Sequence, residues 1–368
     1  MIDQQILRRE ELAAFSLRSL YRQYGYLPYK MSKFEEYEYY IRNKDFLVSD
    51  RIITFTDTNG LLMALKPDVT LSIIKHYRET PGKKQKVCYN ETIYRAAGGS
   101  RPYRELMQAG LECIGDIGLY DIFETLTLAA RSLELIGSGF VLQISHMGLI
   151  SAALDQISSD PDFRREVIAC IAEKNTHDLA RMCTGRNLPE ESIRILAELA
   201  TVCGERDQVL TRLEGLCGGF AAKPLAELRQ LSTLLDTLAY SDRIHFDFSV
   251  VHDMNYYSGI VFKGFLAGVS EGILAGGQYD RLMEKMGHRA GAIGFALYLD
   301  LLEQLPQPRQ DYDVDVLLLA LPEATPAQIA RTVQVITAGG ETVSVQAAIP
   351  EDLRFRRLVH CPKEDALC

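Results

Sequence analysis

Long apolar runs are missing from this 368-residue sequence: none approaches the roughly 18 residues that a membrane-spanning helix needs. The first ten residues, MIDQQILRRE, also lack the basic stretch and apolar core of a signal peptide. Together these absences predict a cytoplasmic protein with no membrane contact. Cys88, Cys113, Cys170, Cys183, Cys203, Cys217, Cys361 and Cys368 form no CxxC pair and have no histidine at zinc-ligand spacing. That pattern removes a zinc-ribbon reading and predicts reduced, mostly buried thiols. No metal-ligand constellation is visible, and the signatures GxxxxGK and GxGxxG do not occur, so P-loop and dinucleotide-binding readings lose their basis. Positive charge is in deficit, with 40 Lys and Arg against 49 Asp and Glu for a net charge of −9. A surface that grips nucleic acid throughout by counterion release is excluded, and only a local basic groove stays open.

What is present is an ordinary globular composition, 47% hydrophobic and 24% charged. At about 150 residues per domain, the length fits two or three domains. Ala13, Leu17, Leu20 and Tyr24 recur at helical spacing, and Gly25 stands where a left-handed C-cap would end a helix over 10–25. From 47 to 150 the pattern shifts to short β-branched and aromatic segments, RIITFT from Arg51, VCYN from Val87 and FVLQIS from Phe140. Residues 151–240 instead carry apolar stripes of helical period, such as Phe163, Val167 and Ile171. Strand signals return over 243–305. The expected organisation is an α+β core of residues 1–150 and 241–305, interrupted by a helical insert at 151–240. After a linker, a short C-terminal α/β domain is expected at 311–368, with a strand from Val314, a helix over about 326–338 and a strand from Glu341.

Four polar clusters lie inside the strand-rich sequence. In LKPDVT (65–70) the proline fixes a bend and sets Asp68 beside Thr70 at a strand end; read alone, an exposed turn explains it equally. In the second, a glycine-rich loop flanked by Arg95, Arg101 and Arg104 suits an anion, and Gln108, Gly110 and Glu112 share one face of an extended strand. A solvated basic loop beside a half-buried strand is the plainer account. The third, VHDMNYYSG (251–259), holds His252, Tyr256 and Tyr257, and the fourth is GGQYD (276–280). A lone histidine is more often structural than catalytic, and paired tyrosines more often pack than recognise a ligand.

Taken in order, the clusters resemble the catalytic core of the histidyl-tRNA synthetase family, of the class II aminoacyl-tRNA synthetases. LKPDVT is similar to the family's RPEGT loop, residues 94–112 to motif 2, VHDMNYYSG to the signature RGLDYYTG, and GGQYD to GGRYD. The resemblance covers about residues 1–305 and implies a six-stranded antiparallel sheet flanked by helices, dimerised, with the insert in the family's place. Departures from the pattern are specific. Leu301 stands where motif 3 closes on an arginine, His252 takes the place of the signature's arginine, Ala97 that of a glutamate, and Ser32 that of motif 1's proline. In the family a motif 2 arginine, for which Arg95 is the candidate here, and the motif 3 arginine hold the charge that develops at phosphorus, and the signature's arginine is also catalytic. Removing a transition-state arginine of that kind costs about 10³–10⁵ in rate, so adenylation is expected to be negligible.

Residues resembling the amino-acid pocket persist: Asp68, Thr70, Arg95, Gln108, Glu112, His252, Tyr256 and Tyr257, whose acids and donors suit zwitterionic histidine. A synthetase-like core stripped of activation residues, with an abbreviated C-terminal domain, resembles the regulatory-subunit family of ATP phosphoribosyltransferase. This implies a non-catalytic role in the first step of histidine biosynthesis and its feedback by histidine. The implied partner is a short-form catalytic subunit in a hetero-oligomer; no cofactor or metal is expected, and tRNA is not an expected partner. Two alternatives stand beside it: a divergent histidyl-tRNA synthetase, and another synthetase paralogue that senses or ligates an amino acid. The tyrosine run 37–40 and the basic RFRR run at 354–357 are read either as partner contacts or as ordinary packing and solvated charge.

Overall fold

The computed structural model describes residues 7–43, 52–96, 103–251, 254, 256–306 and 311–361. Two compact units are present, Met1–Leu305 and Pro306–Cys368.

In the first unit, helix α1 (Arg9–Gln23) buries Ala13, Ala14, Leu17, Leu20 and Tyr21 on one stripe. It stops where Gly25 takes a φ of +83°, a left-handed conformation open to glycine without steric cost. The chain continues through β1 (Leu27–Pro28), β2 (Phe34–Glu36), α2 (Tyr37–Arg42), β3 (Thr54–Thr56), β4 (Leu62–Leu65) and α3 (Thr70–His76). Two long strands, β5 (Gln85–Ala96) and β6 (Tyr103–Gly115), precede α4 (Leu119–Ile136) and β7 (Phe140–His146). A helical stretch follows: α5 (Met147–Ile157), α6 (Pro161–Ala172), α7 (Thr176–Gly185), α8 (Glu190–Thr201), the two-residue β8 (Cys203–Gly204), α9 (Arg206–Cys217) and α10 (Ala222–Leu235). The sheet then resumes with β9 (Ile244–Asp247), β10 (Ile260–Leu266), β11 (Leu274–Gln278), α11 (Asp280–Lys285) and β12 (Gly291–Tyr298).

Among the described residues the main sheet has nine strands in the order β1-β5-β6-β12-β11-β10-β7-β9-β8. The six strands from β5 to β7 are antiparallel throughout, as the family resemblance implied. Outside these six, β1 joins β5 and β9 joins β7 in parallel. Both parallel strands are added where the chain returns after a helix: β1 follows α1, and β9 follows the helical stretch.

Alternation along the strands separates two apolar clusters. Ala109, Leu111 and Cys113 of β6 and Ile293, Phe295 and Leu297 of β12 belong to the larger cluster, with α1 and α4. Phe163, Val167, Ile171, Leu179, Leu199 and Leu228 of the helical stretch bury into that same cluster beside Phe246 and Phe262. On the opposite face, Val87, Tyr89 and Ile93 of β5 pack with Leu71, Ile73 and Ile74 of α3 and with Leu282 and Met283 of α11. A small sheet, β2-β4-β3, lies beside α2. Tyr40 is fully buried and Tyr37 and Tyr39 pack around it, so this tyrosine run is core.

In the second unit, β13 (Val314–Leu319) lies between β14 (Val343–Gln346) and β15 (Phe355–His360), all parallel. Helix α12 (Pro326–Ala338) starts at Thr325, whose hydroxyl accepts from the Gln328 N–H, with Pro326 at the first turn. Arg354 and Arg357 pair with Asp313 and Glu341 at the surface, which accounts for the basic run as solvated charge. All the described cysteines are free: five are buried, Cys170 is half-buried and Cys203 is exposed. No helix among the described residues is long and apolar enough to cross a membrane.

Candidate functional site

Even residues of β6 and β12 turn away from the main core, and there the register brings polar groups together. Glu112 lies opposite Gly294, Gly110 opposite Ala296 and Gln108 opposite Tyr298. Glu112 is 2% and Gln108 4% exposed; polar side chains buried this deeply in a strand need partners or a ligand. The Lys66–Thr70 segment, turning from β4 into α3, closes one side of the space. Tyr256 and Tyr257 close another.

The result is a cavity of about 180 Å³. That is small beside the roughly 300–1,000 Å³ of drug-sized ligand sites, and it suits a small metabolite. Asp68, Thr70, Arg95, Gln108, Glu112, Tyr256 and Tyr257 all line it, so these sequence-singled residues converge on one place. His252 lies outside the described residues. LKPDVT is not an exposed turn: Lys66, Pro67 and Val69 are buried, and Asp68 and Thr70 are half-buried.

Glu112 is held at both oxygens. Thr70 Oγ1 donates to Oε1 at 2.7 Å and the Tyr279 hydroxyl donates to Oε2 at 2.5 Å. Asp68 Oδ1 accepts from the Leu71 N–H at 2.8 Å, fixing the first turn of α3. Arg95 Nε donates to the Pro67 carbonyl at 3.3 Å. Burial pushes both carboxyls up, Glu112 to about 8 despite its two donors, and Asp68 upward against the opposing pull of the Leu71 N–H and Arg95. The tyrosines are raised by the same desolvation and stay neutral hydroxyls at physiological pH. Tyr256 packs on Tyr257 with ring centres 4.5 Å apart and on Tyr279 at 5.8 Å.

Tyr89, Tyr279 and Tyr298 also line the cavity and were not selected from sequence. Tyr89 shares its strand face with Arg95, Tyr298 its face with Gly294, and Tyr279 sits inside the GGQYD run; period-two alternation was the signal that could have found them. Backbone approach is as necessary as side chains. A Cβ on Gly110 would stand 2.4 Å from the Tyr89 hydroxyl, and one on Gly294 would stand 1.7 Å from Glu112 Oε2.

Chemically, two carboxyls, phenolic hydroxyls, an amide and a guanidinium face one small space. This set can bind a small molecule carrying both an ammonium and a carboxylate. Leu301, at the motif 3 position, sits in a short 3-10 turn (Leu299–Gln304) and packs against the main apolar cluster. Among the described residues no group of three or more His, Cys, Asp or Glu is arranged to hold a metal ion.

A mostly antiparallel sheet with this cavity on one face and helices on the other is the core of a class II aminoacyl-tRNA synthetase fold. The family model for histidyl-tRNA synthetase matches residues 2–302, and the chain belongs to that family. An ATP phosphoribosyltransferase regulatory subunit from Oceanobacillus iheyensis is 27% identical over 289 residues, 77% of this chain and 71% of the relative. Among solved structures, an ATP phosphoribosyltransferase regulatory subunit/histidyl-tRNA synthetase from Bacillus halodurans is similar with a TM-score of 0.80 at 24% identity, covering 96% of this chain and 94% of that one. An ATP phosphoribosyl transferase (HisG:HisZ) complex from Thermotoga maritima is similar with a TM-score of 0.63 at 19% identity, covering 79% and 97%.

Proposed function

We propose that this chain is a non-catalytic regulatory subunit of ATP phosphoribosyltransferase, acting in the first step of histidine biosynthesis. It assembles in the cytoplasm with a short-form catalytic subunit, self-associates as a dimer, and takes histidine as effector in the cavity described above. One contrast carries the reading. The pocket side of a synthetase site persists, with Glu112 gripped by Thr70 and Tyr279, while the motif 3 position holds Leu301, an apolar side chain packed on the core. Leucine neither donates a hydrogen bond nor carries charge, so it cannot stabilise charge developing on a phosphate. Recognition without activation is what a sensor requires. The names borne by the Oceanobacillus relative and the Bacillus and Thermotoga structures support the same assignment.

Histidine would place its ammonium and imidazole against Asp68, Glu112 and the tyrosine hydroxyls, and its carboxylate toward Arg95 and Gln108. Binding that differs between two states of a subunit interface shifts their populations, with a coupling of about 1–3 kcal/mol. The test mixes the purified chain with its short-form catalytic subunit and follows phosphoribosyl-ATP formation with and without histidine. A co-eluting complex with altered rate and histidine response is expected. Absence of both, together with histidine-dependent ATP–pyrophosphate exchange by the chain alone, would return the protein to the synthetases.

A further inference from the structure

Lys66 is completely buried, and its ammonium meets Oε2 of the half-buried Glu91 at 2.8 Å. Neither residue lines the cavity. A buried ion pair is a weak source of stability, because desolvation offsets its attraction and apolar replacements are often neutral. Its geometry here is more informative than its energy.

Glu91 projects from β5, and Lys66 begins the segment that carries Asp68 and Thr70. The same segment is tied to β5 twice more, by the Tyr94 N–H donating to the Lys66 carbonyl at 2.9 Å and by Arg95 Nε donating to the Pro67 carbonyl. On its other side the Lys66 N–H donates to the Lys33 carbonyl at 2.9 Å. The Met31 N–H also donates to Glu91 Oε1, at 3.5 Å. Burial pushes the Lys66 ammonium down, and Glu91 opposes that fall, as expected of a cation kept charged by one partner. The ion pair adds a side-chain tie to these backbone bonds, and because the Lys66 ammonium has no access to water it cannot exchange Glu91 for solvent without a large cost.

We infer that Lys66 and Glu91 are positioning residues: a buried clamp that sets the height of Asp68 and Thr70 over Glu112, so that ligand affinity depends on two charges that never touch the ligand. The inference rests on the proposed ligand site and adds to it a determinant of affinity remote from the ligand.

The test compares the full chain with Lys66→Arg and with Lys66→Met/Glu91→Leu, which removes both charges while keeping buried volume. Three measurements are made: thermal midpoint, calorimetric titration with L-histidine, and amide exchange over residues 66–71. The double variant is expected to melt within a few degrees of the parent. Its histidine affinity falls roughly tenfold or more, and exchange over 66–71 rises while β6 and β12 stay protected. Lys66→Arg recovers most of the affinity, which a merely structural lesion would not. An equally stable double variant with parental affinity and unchanged exchange overturns the clamp. If the parent chain itself fails to bind histidine, the ligand assignment falls, and exchange over 66–71 still decides the clamp.

Discussion

Tyr279 donates its phenolic hydroxyl to Glu112 Oε2 at 2.5 Å, joining the end of β11 to the middle of β6 inside the cavity. Glu112 is 2% and Tyr279 also 2% exposed, so losing the phenol removes a donor from a deeply buried carboxyl. Tyr279→Phe should therefore cost about 1–2 kcal/mol of stability, measured by urea unfolding at unchanged slope, and should weaken histidine binding. A variant as stable as the parent would mean that Thr70 alone satisfies the carboxyl.

Glu112 makes stability depend on pH. Its carboxyl titrates near 4.5 when unperturbed and near 8 in the fold, raised by burial. Between these values the folded state keeps a proton that the unfolded chain has lost. The group's contribution is thus complete below about pH 4.5 and is lost as pH climbs through about 8. Glu112→Gln removes this slope. Between about pH 5.5 and about pH 8.5 the parent's melting temperature should fall by a few degrees more than the variant's, and parallel curves would contradict the buried, proton-holding carboxyl.

Gly294 leaves no room for a side chain. A Cβ there would lie 1.7 Å from Glu112 Oε2 and 2.4 Å from the Leu111 carbonyl, and the second of these is backbone that cannot swing aside. Gly294→Ala should destabilise by about 2–3 kcal/mol and abolish histidine binding together. Retained binding in calorimetry would show that β12 can shift without closing the cavity.

Arg206 secures the return from α10 into β9. Its guanidinium donates to the Ser241 and Ile244 carbonyls, both at 2.7 Å, to Ser232 Oγ at 3.2 Å, and to Asp236. Arg206→Met keeps the apolar stem but leaves buried carbonyls without donors, at a cost of about 3 kcal/mol. Amide exchange over 236–246 should rise first; unaltered exchange there would show that the turn holds by packing alone.

Local chemistry made much of this molecule readable. Gly25 ends α1, Thr325 and Pro326 start α12, and the even residues of β6 carry Gln108 and Glu112 on one face, each a consequence of neighbours within a few positions. What sequence did not disclose is set by register between distant strands. The two-residue β1 has no periodicity to detect, so its parallel pairing was invisible. Tyr89, Tyr279 and Tyr298 come from three strands or their ends and meet only because β12 lies against β6. The Lys66–Glu91 pair was hidden for the same reason: a lysine before a proline reads as a solvated turn until β5 is seen to pass beside it.

Strand β12 is the latest of the nine in sequence, yet it occupies the interior of the sheet between β6 and β11. During synthesis, therefore, β1, β5 and β6 wait on one side and β7 to β11 on the other until Tyr298 has left the ribosome. Until then the Glu112 edge of β6 has no neighbour, and an unpaired interior edge is a template for mispairing. The cavity, walled in part by β12, comes into being only when that strand closes the sheet.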